Sequence, residues 1–244
     1  MVGIFSKVRA ALFDRSRVRS YLLYAAGEVI LIVLGILIAI QLDAAAQQRY
    51  ERSLERNYIE NLLADLRLDI DRSDSWFGRF DQKLNGLKAA KDFYFGDFEP
   101  RDPQRFFSDV GIGGAGSRGQ LLTDAATYQE LISTGNLRYI RSDAMKAKII
   151  DFYTYKEFMA VYATNLRTDY ATYTNGSRPY SPRGDLVEDP RDLPVARERF
   201  RRPEFLALIN EELTFAYSIN SVMTTHVGDA KALIETLEAY LATF

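Results

Sequence analysis

Residues Tyr21 to Gln41 read YLLYAAGEVILIVLGILIAIQ, a run of 21 residues with one charge, Glu28. At a rise of about 1.5 Å per residue, a helix of roughly 20 residues spans the hydrocarbon core of a bilayer. No other segment of the 244-residue chain approaches this length without a charge. The run predicts one transmembrane helix over 21–42, between a short segment 1–20 and a large domain 43–244.

Charge orients the span. Lys7, Arg9, Arg15, Arg17 and Arg19 precede it against one acid, Asp14. An excess of basic residues marks the cytoplasmic flank, so segment 1–20 is expected in the cytoplasm. Of 31 basic and 33 acidic residues in the chain, 26 and 31 follow the span, a net of −5. An acidic domain is poorly matched to nucleic acid or anionic lipid. Residues 43–244 are therefore expected outside the cytoplasm, in the periplasm if the membrane is a bacterial inner membrane. A cleaved signal peptide is the competing reading, because Ala44-Ala45-Ala46 fits a small-x-small cleavage site. The apolar run exceeds the usual ~7–15 residues of such a peptide and carries a carboxylate, which favours a retained anchor. Cysteine is absent, which removes disulfides, thiolate zinc sites and a cysteine nucleophile.

Periodicity predicts helices elsewhere. Ile4, Phe5, Val8 and Leu12 share one face of residues 2–13, as in an amphipathic helix lying on a membrane; a disordered basic tail is the alternative. Ile59, Leu63, Leu66, Ile70, Phe77, Phe80, Leu84 and Leu87 follow three-and-four spacing. The span is thus expected to continue as a long stalk helix, with a kink near Ser73–Gly78. Gly96 to Gly119 reads as loop, holding a short helix after Asp102-Pro103. Asp124 is expected to cap a helix over Ala125–Ser133 that ends at Gly135.

Ser142-Asp143 should open a helix to about Thr172 with Met145, Ile149, Phe152, Tyr155, Phe158 and Tyr162 on one face. Residues 175–194 read as loop. Pro203 starts a last helix whose apolar stripe is Phe205, Ile209, Leu213, Ala216, Ile219, Met223, Val227, Ala230, Ile234, Leu237, Leu241 and Phe244. A one-sided stripe of this length requires long antiparallel partners. The fold class is all-α: a transmembrane helix, its stalk and an extracytoplasmic antiparallel bundle.

Two segments resemble a known family. Tyr24 to Gln41, YAAGEVILIVLGILIAIQ, is similar to the N-terminal signature GE(I/V)xLVxxGILIAxQ of a bacterial family of single-pass membrane proteins of unknown function. Ala126 to Tyr153, ATYQELISTGNLRYIRSDAMKAKIIDFY, resembles the same family's YxELxx(S/T)GxLxxI stretch. The family usually continues after the glutamine with Asn and Trp, where this chain has Leu42-Asp43-Ala44-Ala45-Ala46. The resemblance implies the single-span topology and no particular activity.

Few residues suggest chemistry. Glu28 lies about 10 Å into the span, where an ionisable group usually meets a partner or a cavity. Ile32, Gly35 and Ala39 follow on its face, and Gly35-x-x-x-Ala39 permits close helix approach. A carboxyl that hydrogen-bonds a neighbouring helix and fixes assembly is the preferred reading of Glu28; a proton or ion relay inside an oligomer is the alternative. Gly111-Ile112-Gly113-Gly114-Ala115-Gly116 matches GxGxxG but lacks the strand before it that gives the pattern a nucleotide-binding meaning, so it reads as loop. His226, the only histidine, has no cysteine or second histidine with which to hold a metal and reads as a packed or surface side chain. Of fifteen tyrosines, Tyr170, Tyr173 and Tyr180 are candidates for a partner surface, with packing the preferred reading.

These observations predict no catalytic, cofactor or metal site. They predict a non-enzymatic, membrane-anchored structural or accessory subunit whose partners are membrane lipid and other transmembrane helices, not nucleic acid. Its setting would be a homo-oligomer or a larger membrane complex of transport, respiratory or photosynthetic type. The alternatives are an oligomeric pore or proton conduit using Glu28, and a membrane-anchored ligand sensor.

Overall fold

The computed structural model describes residues 15–97, 99–114, 125–165, 168–177 and 189–244. These contain seven α-helices and one 3-10 turn, and no strand. The helices are α1 (Arg15–Phe95), α2 (Pro103–Gly113), α3 (Ala126–Ser133), α4 (Asp143–Asn165), α5 (Tyr170–Asn175), α6 (Asp192–Arg199) and α7 (Pro203–Leu241), with the turn at Asn136–Tyr139. The all-helical expectation holds. The amphipathic helix expected over 2–13 lies outside the described residues.

The chain divides into two units, Met1–Leu54 and Glu55–Phe244. In the first, α1 is long and apolar enough to cross a membrane, and none of its apolar window is buried. From Tyr21 to Leu42 every Leu, Ile, Val and Tyr is exposed. Apolar side chains all round a helix leave no polar face to turn toward water.

The second unit is a bundle. Its part of α1 runs antiparallel to α7: Arg67 pairs with Glu238 at 2.7 Å, and Lys91 donates to Asn210 at 2.9 Å. Helix α4 runs beside both, and one end of the bundle closes around Ile59, Leu62, Leu66, Leu131, Ile149 and Leu237. A second apolar cluster gathers Leu87, Phe93, Phe107, Phe200, Phe205 and Ile209, with Tyr170 among them. Ala163, Phe215, Ile219 and Met223 form a smaller third cluster. The stalk and α7 stripes are thus the core faces the spacing predicts.

Local signals explain most helix starts. Asp102 accepts from Arg105 N at 3.1 Å with Pro103 in the first turn, as the sequence predicts. Ser142 Oγ accepts from Met145 N at 3.2 Å. Helix α3 is a different case. Asp124 lies outside the described residues, and the helix begins at Ala126 with no side-chain cap of its own. Its Thr127 N donates instead to Asp65 Oδ2 on α1 at 3.0 Å, so a residue from another helix satisfies the orphan amide.

Four expectations need correction. Helix α1 continues without a break through Ser73–Gly78. The polar gap there is filled, because buried Ser73 returns its hydroxyl to Asp69 O at 2.9 Å. Gly111 and Gly113 are helical and buried in α2, and Gly114 caps it; they are not loop. A Cβ on Gly113 would sit 3.0 Å from the Leu87 side chain, so this glycine serves close approach. Helix α4 ends at Asn165, short of Thr172. Its outer half turns Tyr155, Phe158 and Tyr162 to the surface, with Phe158 62% exposed. The inward positions there are Tyr153, Lys156 and Ala163, and an apolar pattern cannot mark a buried lysine. Finally, α6 begins inside the stretch read as loop, with Pro194 in its first turn, where a missing amide is tolerated.

Candidate functional site

The bundle buries two ionic clusters. Asp69 on α1 is 4% exposed. Its Oδ2 receives Lys156 Nζ of α4 at 2.7 Å and lies 2.7 Å from His226 Nε2 of α7. One carboxylate oxygen therefore joins all three long helices. The His226 ring stacks on Phe152 at a centroid distance of 5.3 Å. Burial alone pushes the Asp69 carboxyl up, but hydrogen bonds from His226 and Lys156 outweigh it and hold the group below its usual value.

Tyr153 lies beside this cluster, stacked on Tyr128 at 4.3 Å, with its ring 5.6 Å from Lys156 Nζ. Its buried hydroxyl has no hydrogen-bond partner among the described residues. Burial, with Asp65 and Asp69 nearby, pushes the phenol pKa well up.

The second cluster is centred on Glu212 of α7, which is fully buried. Lys83 of α1 pairs with Glu212 Oε1, and Thr168 donates its hydroxyl to Oε2. Burial draws the Lys83 pKa down, and the attraction of Glu212 does not fully offset it. A third carboxylate, Glu55, is also fully buried. Its Oε1 accepts from Arg141 N at 2.7 Å and from the Tyr240 hydroxyl at 2.5 Å. It ties the start of α4 to the end of α7.

The chemistry these clusters offer is limited by how their protons are used. Asp69 and His226 have the spacing of an acid–imidazole pair, but Lys156 occupies the same carboxylate oxygen. The adjacent Ser73 hydroxyl is committed to a backbone carbonyl. A nucleophile facing the imidazole is what acyl-transfer chemistry would need. Among the described residues no group of three His, Cys, Asp or Glu side chains could hold a metal ion.

The residues singled out from sequence fall in separate places. Glu28, Ile32, Gly35 and Ala39 are all exposed on α1, and a Cβ at Gly35 would meet nothing within 4 Å. Tyr170 cannot serve a partner surface: it is fully buried, and its hydroxyl donates to Val110 O at 2.9 Å. Tyr173 is half-buried, stacked on Phe205 at 5.5 Å, with its hydroxyl on Arg199 O. Tyr180 lies outside the described residues. His226 is packed, as the preferred reading had it, but its carboxylate partner was not foreseen. Asp69, Lys156, Lys83 and Glu212 were missed altogether. Polar residues interrupting an apolar stripe, such as Glu212 one position before Leu213, were the only available signal.

No family model, no curated protein and no solved structure matches the chain.

Proposed function

We propose that the protein is a membrane-anchored, non-enzymatic accessory subunit that assembles through its apolar helix. One observation carries this reading: the apolar run of α1 contributes no residue to a core, whereas Glu55–Phe244 holds apolar cores of its own. A helix apolar on every side needs lipid or other helices around it. The open face of Glu28, Ile32, Gly35 and Ala39 supports a neighbouring helix as that partner. The basic flank supports an N-terminus in the cytoplasm and a bundle in the periplasm of a bacterial cell. The likeness of Tyr24–Gln41 and Ala126–Tyr153 to the single-pass family supports the same topology.

Glu28 separates assembly from conduction. If its value is a hydrogen bond to a neighbouring helix, Glu28→Gln retains the complex and Glu28→Leu loosens it by about 1 kcal/mol. Gly35→Ile breaks the same contact by bulk. Cross-linking yields in mild detergent read both effects, and equal yields for wild type, Glu28→Leu and Gly35→Ile refute the assembly face. Proton flux in reconstituted vesicles that is present in wild type and lost from an intact Glu28→Gln assembly makes Glu28 a conduit residue instead, because an amide cannot release a proton. A periplasm-dependent reporter fused after Phe244 is expected to be active.

A further inference from the structure

Two of the grooves on the surface of the bundle differ in how their charges are arranged. One, of about 430 Å³, is lined by Arg56, Glu60, Arg67 and Glu238. Its charges cancel internally: Arg56 pairs with Glu60 at 2.9 Å and Arg67 with Glu238 at 2.7 Å. The other, of about 340 Å³, lies between α4 and α7 and is lined by Phe152, Tyr155, Leu233, Lys148, Asp151 and Asp229, among others. Neither Asp151 nor Asp229 has an ion-pair or hydrogen-bond partner among the described residues.

We propose that the α4–α7 groove binds a small organic cation, an aromatic or alkyl body carrying a primary ammonium. The apolar wall is prepared for such a body. Phe152 is fixed by ring contacts to Tyr153 at 5.1 Å and to His226 at 5.3 Å, and Leu233 is buried beside it. Tyr155 is 38% exposed and lines the groove. An ammonium gains from an aromatic face and from carboxylates that no lysine or arginine already neutralises. The volume falls within the range of small-molecule pockets, which pair apolar walls with a few polar groups. Among the described lining residues Lys148 is the one cation, so two acids face one base and the groove favours positive charge. This site lies wholly within Glu55–Phe244 and does not depend on the anchor reading.

The test uses the full chain in nanodiscs, with empty nanodiscs as the blank. Fluorinated phenethylamine and its neutral alcohol analogue are titrated by fluorine NMR. Saturable binding of the amine with a dissociation constant below about 1 mM is expected, at least about tenfold tighter than the alcohol. The exposed double substitution Asp151→Asn with Asp229→Asn is expected to weaken the amine about tenfold and leave the alcohol unchanged. Lys148→Ala is expected to tighten the amine, and Ala232→Trp, which fills the groove, to abolish both. The proposal is overturned by no saturable binding, by equal affinity for amine and alcohol, or by an amine affinity indifferent to the double substitution or to Ala232→Trp. Repeating the titration on Gly35→Ile keeps the two readings apart: amine binding is expected to persist whether or not that substitution disrupts assembly.

Discussion

The apolar run of α1 and the long helix α7 are both rich in large apolar side chains and differ in how they arrange them. Around Tyr21–Gln41 the side chains point in every direction and none is buried. On α7 they keep to one side, and Phe205, Ile209, Ala216, Ile219, Ala230 and Leu237 are all buried. Each helix also carries an acid in an apolar setting. Glu28 is exposed, whereas Glu212 is enclosed with Lys83 and Thr168. The same ingredients serve two purposes. A one-sided stripe finds its partners within the chain and can hold a charge by pairing it. An all-round stripe leaves both its surface and its charge to whatever surrounds it.

The largest expected effect tests the enclosed acid. Lys83→Met takes a counter-charge from the buried Glu212 and should destabilise the bundle by up to about 3–5 kcal/mol. Replacing both, Lys83→Met with Glu212→Leu, should recover most of that loss, because two apolar side chains of similar size need no counter-charge. Urea unfolding of the full chain, followed by circular dichroism, reads both. Equal destabilisation by the single and double substitutions would show that the pair is not what matters at this position.

Packing between helices comes next. Gly86 on α1 lies against the backbone carbonyl of Asp109 on α2, so that an added Cβ would overlap it. Backbone cannot move aside as a flexible side chain can, and Gly86→Ala is expected to cost about 1–3 kcal/mol. Gly35, with open space around it, is the contrast: Gly35→Ala should leave bundle stability unchanged. Thermal melts of the two variants make the comparison, and equal losses would remove it.

Acid sharpens the comparison through Asp69. Its carboxyl is held below the unfolded value of 3.8. A depressed acid contributes stability that is present above the unfolded value and lost as pH falls through the folded one. The urea midpoint of wild type should therefore drop as pH falls below 3.8. Asp69→Asn should start lower at neutrality and show a flatter acid limb, since the titrating group is gone. Parallel limbs in the two proteins would assign the acid sensitivity to other carboxylates.

The smallest effect concerns a polar atom that the fold leaves unpaired. Tyr153→Phe removes a buried hydroxyl that has no partner among the described residues. Stability should be unchanged or raised by less than about 1 kcal/mol, since no hydrogen bond is lost. A clear loss of stability would reveal a partner for that hydroxyl.

Much of this architecture was legible in the sequence, for reasons visible at particular residues. Apolar spacing marked the stalk face of Ile59, Leu63 and Leu66 and the face of α7, because burying a helix requires a repeat that returns every turn. Asp102-Pro103 and Pro203 marked helix starts, because capping acts within one turn. The outer half of α4 was misread, since Lys156 occupies an inward position that an apolar count assigns to the surface. The glycines of α2 were misread as loop, since a glycine required for close packing looks the same in sequence as one required for a turn.

The amino-acid sequence by itself determined that the chain is helical and that one helix is apolar enough to cross a membrane, because both follow from the order of side chains along a single helix. Only the tertiary structure decided that Asp69, Lys156 and His226 meet, that Glu212 is enclosed with Lys83, and that Asp151 and Asp229 line an apolar groove with no partner among the described residues. These residues lie on helices far apart in sequence. Whether a charge is neutralised, buried or left open depends on which side chains the packing brings within a few ångströms, and local order along the chain carries no record of that distance.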